Sequence, residues 1–171
     1  MNAPARTRTV APAWPLYLAA FAIAAVVAGA VGEAFSGGSL AELGIPDPGA
    51  ATTVGLPALR GVAWLLMALA TGSFLLSAFL IPPKQTQEDL NGARLTVDGH
   101  LASRTGAHAS AGIALIGLAM IPLVLSDVSG QPLKTVLFEA AAWSQALDQV
   151  ADARVWLIVA VFAAVVAAFA Y

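Results

Sequence analysis

Apolar residues in this chain gather into four long runs that contain no Lys, Arg, Asp or Glu: residues 10–32, 61–83, 105–126 and 155–171. A helix of about 20 residues rises roughly 30 Å, the thickness of a bilayer's hydrocarbon core. Lipid offers no partner to a backbone N–H or C=O, so each run must close its hydrogen bonds internally as an α-helix. The pattern therefore predicts an all-α fold, a polytopic membrane helix bundle in one membrane domain. Its spans are expected at about 14–31, 56–81, 107–125 and 155–171. Between the last two runs, Leu137, Phe138, Ala141, Ala142 and Leu147 alternate with Glu139, Gln145 and Asp148 at roughly helical spacing. That alternation predicts an amphipathic helix lying at the interface before the fourth span.

Glycine and proline punctuate the runs. Gly37, Gly38, Gly44, Pro46, Pro48 and Gly49 predict turns between the first two spans. Pro57 suits the first turn of the second span, where its missing N–H costs nothing, and Pro82-Pro83 ends that span. Pro122 is expected to kink or end the third, with Asp127-Val128-Ser129-Gly130 as a turn beyond it. Small residues recur every four positions, as Ala20, Ala24, Ala28 and Gly32 in the first span and Ala160, Ala164 and Ala168 in the last. Such ridges let helices approach closely where lipid supplies no hydrophobic drive.

Composition agrees with this reading. Charged residues are 11 % of the 171-residue chain, where a soluble domain has about 25 %. A soluble bundle would have too few polar positions to coat itself. A net charge of −2 provides no basic surface for nucleic acid. The absence of cysteine excludes disulfides, thiolate metal sites and a cysteine nucleophile. Charge also orients the spans. Arg6, Arg8, Lys84, Arg94 and Arg104 flank one side. Arg60, Lys134 and Arg154 flank the other, beside Glu33, Glu42, Asp47, Asp127, Glu139, Asp148 and Asp152. By the positive-inside rule, residues 1–13 form a cytoplasmic tail and the 84–104 loop is also cytoplasmic. Arg6 and Arg8 before an apolar run, with Ala28-Gly29-Ala30 inside it, resemble a secretory signal. The run is longer than a signal core, so an uncleaved first span is expected. The last run is still apolar at Tyr171, with no polar anchor after it, which suggests a piece of a longer chain.

Candidate chemistry is sparse. His100 and His108 are the only histidines; two helical turns apart, they would be roughly 12 Å from each other along the axis. Gly99 and Gly106 argue against a continuous helix there. Met67 and Met120 are thioethers inside spans, a ligand type that selects Cu(I), although gap-filling core methionine is the commoner role. These four residues are the metal-ligand candidates. Glu33, Arg60 and Asp127 are expected to lie near one interface, where they could meet as an ion pair. No run carries an acid or base at mid-depth, where coupled transporters keep them. Thr71, Ser73 and Ser77 are expected to hydrogen-bond between helices. P-loop, zincin and nucleophile-elbow signatures are missing, so no catalytic residue is assigned.

Several loop motifs carry a resemblance. Gly44-Ile45-Pro46-Asp47-Pro48-Gly49 is followed by Gly55-Leu56-Pro57 and Leu59-Arg60, then by a long apolar stretch containing Thr71-Gly72-Ser73. That stretch closes as Ala78-Phe79-Leu80-Ile81-Pro82-Pro83, and Ser126-Asp127-Val128-Ser129-Gly130-Gln131-Pro132-Leu133 comes later. Over residues 14–133 the chain resembles the N-terminal portion of the actinobacterial copper resistance protein D (CopD) family. Longer members of that family are fused to a cytochrome c oxidase assembly domain. The resemblance implies a multi-pass protein of the bacterial plasma membrane that takes part in copper transport, copper resistance or copper delivery for oxidase assembly. Copper would then be transported or delivered rather than catalytic. Full members have more helices than these, and no ligand motif of the family maps onto particular residues here. The alternative is a noncatalytic helical subunit of a respiratory or other membrane complex. In both readings the partners are the lipid bilayer and other transmembrane helices.

Overall fold

A computed structural model describes residues 14–36, 48–81 and 97–171. The N-terminal tail with Arg6 and Arg8, the turns expected at residues 37–46, Glu42 and Asp47, and the loop charges Lys84, Glu88, Asp89 and Arg94 lie outside the described residues. Every element among the described residues is a helix. They are α1 (Trp14–Ser36), α2 (Ala50–Leu75) running on into a π-helical turn (Leu76–Leu80), α3 (Val97–Ser129), α4 (Leu133–Phe138), α5 (Ala140–Gln149) and α6 (Ala151–Ala170). Among these, α1, α2 with its π turn, α3 and α6 are long and apolar enough to cross a membrane. The chain is a multi-pass membrane protein built for a lipid bilayer.

Each span is longer than its expected core, because uncharged runs mark the hydrocarbon stretch and not the helix ends. The 33 residues of α3 rise about 50 Å, well beyond the roughly 30 Å of hydrocarbon. Its first turns, with Asp98, His100 and Arg104, therefore continue out of the apolar layer. Gly99 and Gly106 do not interrupt it, and Pro122 does not end it. The stop comes at Gly130, whose φ of 65° is the left-handed conformation that closes helices. Thus Asp127, Val128 and Ser129 belong to the helix rather than to a turn. Pro57 likewise sits inside α2, since that helix starts at Ala50 after Gly49. The Gly49 carbonyl accepts from the Thr52 and Thr53 N–H groups at 2.9 and 3.1 Å, which nucleates the additional turns.

The spans pack as a row in chain order. α1 packs on α2, α2 on α3, and α3 on α6. Contacts step in opposite directions along neighbouring helices, as in Thr52 with Ser126, Leu66 with Gly112, and Ser77 with Gly99, so the neighbours are antiparallel. α3 is the most buried member: 67 % of its most apolar window is buried, against at most 17 % for any other span. Its core residues Met120, Ile121 and Val124 meet Ala63 of α2 and Ala153 and Trp156 of α6.

Backbone approach sets the spacing of the row. A Cβ at Gly29 would stand 2.9 Å from Val54 Cγ1, and one at Gly32 would run into the Pro57 ring. A Cβ at Gly106 would stand 2.8 Å from the Phe74 ring. One at Gly117 would stand 2.9 Å from the Ala160 Cβ and 3.1 Å from the Trp156 carbonyl. The first-span ridge thus serves its expected purpose through Ala24, Ala28 and Gly32, while Ala20 is exposed. In the last span only Ala160 of the expected ridge is buried; Ala164 and Ala168 are exposed. The inward face runs instead through Ala153, Trp156 and Ala160, at helical spacing from a start set by the chain entering from α5.

The expected amphipathic helix is two short ones, broken at Glu139, where φ is −100° and ψ 92°. They rest on the end of the row. Val136 is buried and its carbonyl accepts from Trp143 Nε1 at 3.2 Å, tying α4 to α5.

We expect Gly117→Val to destabilise the fold by about 1–3 kcal/mol through overpacking. The measurement is the thermal midpoint of the detergent-solubilised protein. Gly72→Ala lies inside α2 with nothing within 4 Å of the new Cβ and should not destabilise the fold, helix propensity adding about 0.5–1 kcal/mol.

Candidate functional site

Polar side chains meet at the two ends of the row. At the end bearing α4 and α5, the Thr52 and Ser126 hydroxyls are 2.7 Å apart and both residues are buried. Ser126 Oγ also donates to the Gln131 carbonyl at 2.6 Å. Ser126 has one hydroxyl proton, so Thr52 is the donor of the shared bond. This relay fastens α2 to α3 and closes the chain reversal after α3. At the opposite end, Ser77 in the π turn donates to the Gly99 carbonyl at 2.8 Å. Ser77 thus makes the expected interhelical bond, whereas Ser73 is buried and Thr71 is exposed. There too, Arg104 donates to the Tyr171 hydroxyl at 3.0 Å, and its guanidinium lies 4.9 Å from the ring centroid. His108 meets the same ring edge-on at 5.7 Å, and its Nδ1 lies 2.6 Å from the Arg104 carbonyl. A carbonyl only accepts, so Nδ1 is the donor of this contact.

A concavity lies between α2 and α6. Both pack on α3 rather than on each other, which leaves a groove of about 400 Å³ along their shared side. Arg60, Trp64 and Met67 form one wall; Asp152, Trp156 and Val159 form the other. At its mouth Arg60 Nη2 donates to Asp152 Oδ2 at 2.9 Å, with the side chains 43 % and 50 % exposed. Asp152 stands in the first turn of α6, where the helix dipole favours a negative charge. Arg60 is therefore paired with Asp152 and not with Glu33 or Asp127, both of which are exposed. The expected trio stands on different faces of the row, because α1 contacts only the far side of α2. Asp152 and the two tryptophans were not singled out by sequence reasoning. One signal was present: Arg60 and Asp152 border uncharged runs on the same side of the bilayer and carry opposite charge.

The four metal-ligand candidates are spread along the row. His100 and His108 lie on one continuous helix, so their separation of roughly 12 Å stands. Leu66 packs on Gly112, which puts Met67 level with about residue 112 and roughly 12 Å from the height of Met120. Met120 is fully buried in the core, whereas Met67 faces the groove. No group of three or more His, Asp or Glu side chains able to hold a metal ion occurs among the described residues. Comparison with protein-family models, curated proteins and solved structures found no match to this chain.

Ser126→Ala leaves the Thr52 hydroxyl and the Gln131 carbonyl both without their partner. We expect it to cost about 1–3 kcal/mol, and more than Thr52→Val, which removes one donor. Asp152→Asn should change stability by less than about 1 kcal/mol, because its ion pair is half exposed. Thermal unfolding of the three variants in one detergent checks the order.

Proposed function

We propose that the chain is a noncatalytic helical component of a larger copper-handling assembly in the bacterial plasma membrane, with residues 1–13 on the cytoplasmic side. The observation that carries the component reading is the apolar middle of the row. Between the end bearing Arg60, Asp152 and Arg154 and the end bearing Arg104 and His108, no Asp, Glu, Lys, Arg or His side chain stands on the described spans. Coupled passage of an ion needs such groups at mid-depth, so neighbouring helices would supply them. The copper reading rests on the loop motifs around Gly44–Gly49 and Ser126–Leu133. Its separated histidines and methionines make this chain a scaffold for copper passage or delivery, not a complete ligand set.

Two measurements test the two halves separately. The tagged full-length protein, extracted in mild detergent, is expected to bring other membrane polypeptides with it; recovery as a lone monomer counts against the component role. A strain lacking the protein is expected to lose copper tolerance or to assemble less cytochrome c oxidase. Unchanged copper tolerance together with unchanged oxidase would remove the copper assignment and leave the component role standing.

A further inference from the structure

The groove between α2 and α6 has the form of a lipid site. We propose that it holds one acyl chain of a zwitterionic, primary-amine phospholipid of the phosphatidylethanolamine type, whose headgroup sits on the Arg60–Asp152 pair. Three observations lead there. First, the groove is amphipathic along its length. Its mouth is the ion pair, and its walls below are Trp64, Trp156, Met67 and Val159. Seven residues separate Arg60 from Met67, and seven separate Asp152 from Val159, so the apolar part is about 10 Å deep.

Second, its walls suit a flexible apolar occupant. The groove of about 400 Å³ is open along its side, so an acyl chain can enter it laterally from the bilayer. Trp64, 68 % exposed, and the buried Trp156 offer it flat apolar surfaces.

Third, the mouth carries both signs of charge. Arg60 has five N–H donors, and a single bond joins it to Asp152. The remaining donors suit a phosphate's geometry. The Asp152 carboxylate, half exposed, accepts from a primary ammonium. An anionic phosphatidylglycerol would satisfy Arg60 and meet repulsion from Asp152. A quaternary phosphatidylcholine has no N–H to donate to the carboxylate. The site requires the membrane-spanning fold and does not depend on the copper assignment.

The test uses the purified full-length protein exchanged into detergent with equal amounts of the three lipids, with retained lipid read by native mass spectrometry. One phosphatidylethanolamine per chain is expected, favoured about tenfold over each competitor, the effect of one charge-assisted hydrogen bond. Asp152→Asn should erase the preference over phosphatidylglycerol, and Arg60→Gln should lower retention of all three lipids, each of which carries a phosphate. Val155 also lines the groove, and Val155→Trp, which fills it while keeping both charged residues, should abolish retention. Equal retention of the three lipids by the unaltered protein overturns the proposal, and that result needs no variant to fold. Preference for phosphatidylglycerol, or undiminished retention in Val155→Trp with native helix content, also overturns it.

Discussion

Close approach of helix backbones is the interaction on which this fold depends. In water, burial of apolar side chains would drive the helices together, but lipid tails are as apolar as leucine and provide no such drive. What remains is dispersion between surfaces that fit, together with a few hydrogen bonds. The row meets that constraint by placing Gly or Ala wherever a neighbouring span passes nearest. Gly29 and Gly32 receive Val54 and Pro57, Gly106 receives the Phe74 ring, and Gly117 receives Ala160. Two residues that would look like defects in a soluble helix take part in this fit. Pro57 packs on Gly32 from within α2, and Pro122 lies buried inside an uninterrupted α3.

Polarity is then sorted by depth. Hydroxyls and charges pair at the two ends, where Thr52, Ser126 and the Gln131 carbonyl form a relay and Arg104, His108 and Tyr171 form a cluster. The middle is left to packing. Because α2 and α6 both use α3 as their support, the row does not close into a ring, and a lateral groove remains between them. Its mouth coincides with the Arg60–Asp152 pair. That coincidence turns a gap between helices into a place with a polar head and an apolar tail.

Much of the architecture was legible one residue at a time. Uncharged runs are long because hydrocarbon solvates no charge, so the number of spans and their helical state could be read directly. Helix ends were less legible. They depend on caps such as Gly130, whose left-handed backbone is a choice made by the chain's reversal onto Pro132. Pro57, and Pro122 as a helix end, misled for the same reason. Proline's cost in a helix is set by what satisfies or covers the freed carbonyl, and packing decides that. The Arg60 pairing was half legible: its charge and depth were evident, but its partner came from a helix 92 positions away.

The sequence alone determined that this is an all-helical membrane protein with four spans, because transfer of a segment into hydrocarbon is a property of that segment's own side chains. It also determined that small residues would mediate packing. Only the tertiary structure decided that α3 is the buried member, that the spans form a row, and that Asp152 rather than Glu33 or Asp127 meets Arg60. The four spans are similarly apolar, so hydropathy ranks none of them as central. Neighbours are chosen by the fit of one helix surface against another, and that quantity belongs to pairs of segments and to no single one.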